Sequence, residues 1–496
     1  MDGLLSGDGD LALPKFHKAA KALLAVERVA ARNWPRIGEA GEFLALVADV
    51  KQFSPQALAR IWTDPTAYSW ARTAYELVAE LGGRTLTPPS DDRDVASRRV
   101  ERHLAGFKRF VLALDVVAGR DRRFAEPLRA ELPVGLPGTR LSLAGRGPVA
   151  VRGLVHGELE VEHEGRTRRL AVPRLDDEAG CAGGQATIAT RGEPLESVAQ
   201  GELRLVRCPA AHAGSLVLLL KPEAFHQSDI PFAADLAPLG GAYQEQHAAL
   251  VSRALELIRR HAAGSFAWLE RSVRVAVVKP RSVGDFNNQT HSELPGAFVL
   301  TVTADPYCFA EDVVHELHHN LLFFLEERGS FFAASELDAA VRRDAYYSPW
   351  RDDLRPLHGI LHGVHVYLAV WRYWWGVHTS GELGGDRARY AIDQLVRIPL
   401  QVEVGLAQLE RWGRLSALGT ELLDRLRADL ATARAYMQSR DDLPADPQAL
   451  RCTGDGSFEP IRSARDGRAL SVRGSLREHA ARFDVEGQAG DLEHRF

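Results

Sequence analysis

The clearest chemistry in this chain lies in one short run, His315, Glu316, Leu317, His318 and His319, an HExxH pattern. On a helix, residues four apart lie one turn above each other on the same face. His315 and His319 can therefore offer two imidazoles to one metal ion, with Glu316 beside them. A helix that buries three histidines and a glutamate must give them partners, because unpaired buried polar groups cost several kcal/mol. His318 points to a different face and reads as structural. Two imidazoles leave a metal site incomplete, and three sources compete for the third ligand. Glu336 follows on the next segment, Asp338 and Asp344 are further carboxylates, and His358, His362 and His365 share one face at i, i+4 and i+7. His362 is favoured among them, since Gly359 and Gly363 beside it would let another helix, or a metal, come close. His358 and His365 then read as packing residues or as groups that orient a ligand.

Arg351 and Arg355 form a second notable pair. The guanidinium fork binds a carboxylate with two parallel hydrogen bonds. Arg355 and His362 are seven apart and can face one cavity. The competing reading pairs these arginines with Asp352 and Asp353, and spacing alone does not choose.

The elements that position these residues are legible from local signals. Asp305 suits an N-cap, Pro306 the first helical position and Gly329 a stop, so a buried helix is expected between them. A strand over 296–303 runs straight into it, and Val273–Val278 reads as another buried strand. Pro356 starts a helix expected to run through Trp374 and Trp375. Helices are also expected over about 12–120, 240–262 and 386–440. Between 130 and 225, short β-prone segments alternate with Gly, Pro and Asp turns. From about Asp441 the chain is charged and poor in large apolar residues, which reads as a tail or a loosely packed appendage.

The fold class expected is α+β, mainly helical. A helical N-terminal region covers 1–125, a β-rich segment 126–235, an HExxH metal-binding catalytic domain 236–440, and a charged tail or small appendage 441–496. The net charge of -5 argues against a nucleic-acid surface, and no apolar run approaches membrane-span length. Four scattered cysteines (Cys181, Cys208, Cys308, Cys452) form no CxxC pair, so a reduced cytoplasmic setting is expected.

The run GAFVLTVTADPYCFAEDVVHELHHNLLFF, followed by YYSPWRDDLRPLHGILHGVHVYLAV, resembles the HExxH-motif peptide-modification proteins. These are 2-oxoglutarate-dependent, iron-containing β-hydroxylases of ribosomally made peptides. The resemblance is strong over about 290–375, diffuse in the helical N-terminal part, and does not extend clearly to the tail after 440. It implies that His315, His319 and His362 bind iron(II), and that Arg351 or Arg355 holds the distal carboxylate of 2-oxoglutarate. Dioxygen would be the oxidant, and succinate and carbon dioxide would leave as the peptide gains a hydroxyl. Glu316 would then orient a ligand or a metal-bound water. A precursor peptide is the expected partner, with no nucleic acid and no membrane. Two other readings follow from the same residues. A zinc metallopeptidase would use Glu316 as general base, and a peptide-binding scaffold would carry the motif without catalysis.

Overall fold

The computed structural model of the protein describes residues 12–89, 94–132, 134–144, 147–172, 203–222, 241–282, 288–335 and 346–483, with 236, 239 and 337 singly. The fold is mainly helical α+β. Helices from Ala12–Asn33 to Lys108–Ala118 open the chain. Two of them start where a polar cap precedes a proline: Ser54 accepts from the Ala57 amide before Pro55, and Asp64 from the Thr66 amide before Pro65.

Strands β1 (Arg122–Glu131), β2 (Val134–Gly135), β3 (Leu141–Ala144), β4 (Pro148–Val155), β5 (Glu158–His163), β6 (Arg166–Ala171) and β7 (Arg204–Arg207) follow. They form two antiparallel sheets, in the orders β1-β4-β5-β6 and β2-β3-β7. Buried residues of β1 to β5 share one core with the N-terminal helices, including Trp34, Trp62, Phe107 and Phe110. The helical region and most of the β-rich segment therefore pack as one body around a common interior.

The last strands of the β-rich segment go elsewhere. β8 (Ala210–Ala213) and β9 (Leu216–Leu220) form a hairpin that joins β10 (Val275–Lys279) and β11 (Ala297–Thr301) in a mixed sheet, order β11-β10-β9-β8. β9, β10 and β11 are parallel. β10 and β11 are buried along their whole length, as continuous apolar runs in parallel strands must be. Gln289 pairs with Val299 from the outer side of β11; the neighbouring Asn287 lies outside the described residues.

β11 leads into the HExxH helix, Pro306–Glu326. Asp305 caps it, accepting from the amides of Tyr307 at 2.9 Å and Cys308 at 3.1 Å, and Arg387 Nε donates to its other oxygen at 2.9 Å. The helix ends three residues before Gly329. Helices Gly241–His261 and Leu357–Thr379 pack against it, and Gly385–Trp412 and Ala417–Gln438 pack on the latter, in a second core that also takes in β8 and β9.

Residues 441–483 are a packed appendage. β12 (Leu450–Cys452) and β13 (Phe458–Pro460) pair, and helix Val472–Ala480 follows. Ala449, Val472, Leu476 and Ala480 converge on Tyr347, Val396 and Val404, while Leu443 and Leu450 enter the core around the HExxH helix. Asp393 also anchors them by accepting from the Leu450 amide at 2.9 Å. Among the described residues no helix is long and apolar enough to cross a membrane.

Candidate metal centre

The HExxH helix and helix Leu357–Thr379 lie antiparallel. Tyr373 donates to the Tyr307 carbonyl at 3.1 Å, Trp374 Nε1 to Glu311 at 3.0 Å, and His358 contacts Glu326 at the other end. The histidines of both helices face each other between these contacts. They form two separate polar rows.

The first row is His315, His319, His362, His358 and Glu326. His315 Nε2 lies 3.2 Å from His319 Nε2, and His319 Nδ1 lies 3.0 Å from His362 Nδ1. Two nitrogens bonded at about 2.1 Å to one ion lie roughly 3–3.5 Å apart, so both separations suit shared coordination. The three imidazoles predicted as ligands are thus neighbours, but they stand in a line. His319 turns one nitrogen to His315 and the other to His362, and a single ion can use only one of these. Further along the row, His362 Nε2 is 3.8 Å from Glu326 Oε1, and His358 Nε2 donates to the same carboxylate. Glu326, His358 and His362 are the group of three metal-ligating side chains among the described residues whose ligand atoms all lie within 4.8 Å of one another. His362 Nε2 is buried and has no hydrogen-bond partner.

The second row is a closed hydrogen-bonded chain. His318 Nδ1 meets His365 Nε2 at 3.1 Å, and Ser265 Oγ lies 3.1 Å from His318 Nε2. Both imidazoles are buried, and each has a nitrogen engaged in this chain.

Burial pushes the imidazoles toward the neutral form. His315 is held down to about 4, with the Arg351 charge adding to the effect, and His319 and His362 are also held below the ordinary range. A metal ligand must be unprotonated, so this environment favours coordination. Glu326 behaves oppositely: although burial raises it, the His358 and His362 contacts bring it down to about 2. His315, His319 and His362 are therefore biased to neutral imidazole, and the row ends in an anionic carboxylate. His315 and His319 keep some accessible surface, as do Asp312, Phe323 and Tyr367, so this face of the helix is reached by solvent.

Glu316 is 3% exposed, and burial raises its carboxyl to about 8 against a Thr290 hydrogen bond that lowers it. Asn320 Nδ2 donates to Thr290 at 3.0 Å, and Asn320 Oδ1 accepts from the Gly296 amide at 2.6 Å. Glu316 is thus tied to the segment entering β11. Burial likewise raises Glu311 to about 7, where Trp374 and Tyr390 donate to it.

The YYSPWRDDLRP block closes into a loop over this face. Tyr346 and Arg355 exchange backbone hydrogen bonds at 3.0 and 2.8 Å. Gln401 and Gln408 hold it down by donating to the carbonyls of Pro349 and Tyr347. Trp350 stacks on Tyr367 at 5.1 Å, and Tyr367 meets the His315 ring edge-on at 5.2 Å. Gly363 makes room for Trp350: a Cβ there would lie 2.6 Å from its ring. That close approach, of an indole rather than a helix or a metal, is what this glycine permits; Gly359 has only ordinary contacts. Both arginines pair with Asp353, Arg351 at 3.4 Å and Arg355 at 3.0 Å. Only the Arg351 charge acts on His315 and Tyr367.

Glu336, Asp338 and Asp344, the carboxylates weighed as third ligands, lie outside the described residues. Sequence alone does not assign Glu326 to the site, and it casts His358 as a packing or orienting residue. The i, i+4 spacing of His358 and His362 was a visible signal. Glu326 lies seven residues after His319, which places it two turns along the same face. No family model matches this chain, and no curated protein matches it.

Proposed function

We propose that the protein is a cytoplasmic iron(II)- and 2-oxoglutarate-dependent oxygenase that hydroxylates a β-carbon in a ribosomally made precursor peptide. The observation that carries this reading is the line of partly buried imidazoles at 3.0–3.2 Å, biased to the neutral form, beneath a loop that brings an arginine charge to His315. His315, His319 and His362 would hold the iron, which requires His319 and His362 to reorient so that one nitrogen of His319 serves the ion shared with both neighbours. The suppressed basicity of all three rings fits that role. Iron(II) bound there supplies dioxygen activation coupled to decarboxylation of 2-oxoglutarate, which delivers a hydroxyl group to the substrate.

The remaining residues bind, orient and exclude water. Arg351 is the better candidate for the distal carboxylate of 2-oxoglutarate, because its charge already acts on the His315 side. Its present partner, Asp353, also has Arg355, so Arg351 can turn inward without stranding a carboxylate. Trp350 and Tyr367 wall the site with apolar surface, which strengthens the ion pair by removing water. Glu316, closed off and held on Thr290, positions the helix face rather than acting on a solvent-borne nucleophile.

The test is anaerobic addition of 2-oxoglutarate to iron(II)-loaded protein, followed by oxygen and assay of succinate. A visible charge-transfer band on chelation, then succinate release that depends on both iron and 2-oxoglutarate, is expected. Absence of both responses in fully loaded protein, together with peptide cleavage by the zinc-loaded form, would replace this reading with a metallopeptidase.

A further inference from the structure

We propose that Glu326, His358 and His362 form a second divalent-cation site, joined to the HExxH histidines through the two nitrogens of His362. The observations come from outside the HExxH motif. His358 and His362 stand one turn apart on helix Leu357–Thr379, the same i, i+4 spacing that makes His315 and His319 a chelating pair. Antiparallel packing sets the last turn of the HExxH helix against them, and Glu326 supplies an anionic oxygen. The three ligand atoms lie within 4.8 Å of one another. The Phe323 ring flanks His362 at 5.3 Å and the Phe332 ring flanks His358 at 6.5 Å, so the group has apolar walls. Glu326 and His358 keep some exposed surface, which leaves an ion a way in.

A simple carboxylate–histidine pair explains less. Glu326 and His358 already satisfy each other, but that leaves His362 Nε2 buried, without a hydrogen-bond partner, 3.8 Å from the carboxylate. A buried polar atom without a partner is costly. A cation between the three groups removes that cost. Two imidazoles and one carboxylate form the facial donor set typical of first-row divalent metals, with positions left open for solvent or ligand.

His362 belongs to both groups, Nδ1 toward His319 and Nε2 toward Glu326. A neutral imidazole has one lone pair. Occupancy of both sites therefore converts His362 to a bridging imidazolate, its ring proton passing to solvent. The site shares only His362 with the oxygenase reading and otherwise stands apart from it.

The experiment is cobalt(II) titration of the metal-free full-length protein, followed by visible absorption, with bound metal counted after gel filtration. Two equivalents per chain are expected for the wild type. Glu326→Gln and His358→Asn should each bind one, while His315→Ala with His319→Ala should keep the other. Copper(II) loading should give a weakened paramagnetic signal from two coupled ions, restored to that of isolated ions in His358→Asn. One equivalent in the wild type, unchanged in Glu326→Gln and His358→Asn, overturns the proposal. Circular dichroism of each variant separates loss of a ligand from loss of the fold. The count requires no turnover, so two equivalents without a 2-oxoglutarate response would sink the oxygenase reading alone. One equivalent with that response would sink only the second site.

Discussion

Replacing Arg351 by alanine is expected to weaken 2-oxoglutarate binding while leaving iron in place. The distal carboxylate of the co-substrate must shed water to enter beneath the Trp350 loop, and a desolvated anion needs a fixed cation. A hydrogen bond to a charged group is worth about 1.5–3 kcal/mol, which corresponds to roughly 10- to 150-fold in affinity. The Arg351 side chain is 61% exposed. That exposure argues for the lower part of the range, because water screens the pair. Arg355→Ala is the control. It removes the closer Asp353 partner but does not act on His315, and a change within about threefold is expected. The assay is anaerobic titration of the charge-transfer band of iron(II)-loaded protein with 2-oxoglutarate, with iron counted before and after. Wild-type affinity in Arg351→Ala refutes the assignment. Loss in Arg355→Ala alone transfers the role to Arg355, and wild-type affinity in both variants removes the physical support for 2-oxoglutarate as co-substrate.

Glu316→Gln should lower succinate-coupled turnover about 10- to 100-fold with metal retained, as for a group that orients a ligand; near-complete loss with full metal content would make it the base of a hydrolytic site. The metal-free protein should lose stability as pH falls from about 6.5 to about 5. Burial holds His103, His315, His318, His319, His362 and His365 below their ordinary range, with His315 at about 4 and His103 and His318 at about 3. The unfolded chain protonates these six in that window, whereas burial raises only four native carboxyls, Asp115, Glu311, Asp312 and Glu316, toward keeping a proton there. The unfolded state therefore binds more protons, and a denaturation midpoint that is flat or rises on acidification would contradict this. Gly363→Ala puts a methyl 2.6 Å from the Trp350 ring. Overpacking of about 1–3 kcal/mol outweighs the roughly 1 kcal/mol gained in helix propensity, so the thermal midpoint should drop; an unchanged or higher midpoint would show that Trp350 yields freely.

Some of this protein is written locally. The HExxH helix follows from Asp305, Pro306 and the apolar residues behind them, because caps and periodicity act within a turn or two of backbone. The same holds for the His358–His362 pair, whose spacing places both rings on one face whatever surrounds them. The runs Val275–Lys279 and Ala297–Thr301 read as buried strands because unbroken apolar sequence has nowhere else to go. The division of the β-rich segment between two cores was not local: β8 and β9 look like β1 to β7 in sequence, and only pairing with β10 assigns them. The site was decided the same way. Glu326 and His358 are 32 residues apart in sequence, and they meet because two helices pack antiparallel in one register. A shift of one turn would pair different side chains. Ring orientation lies further still from sequence: His319 divides its nitrogens between His315 on its own helix and His362 on the next, which only the packing of the two helices decides. Periodicity encodes which face a residue occupies. Which atoms touch across that face depends on packing contributed by the rest of the chain.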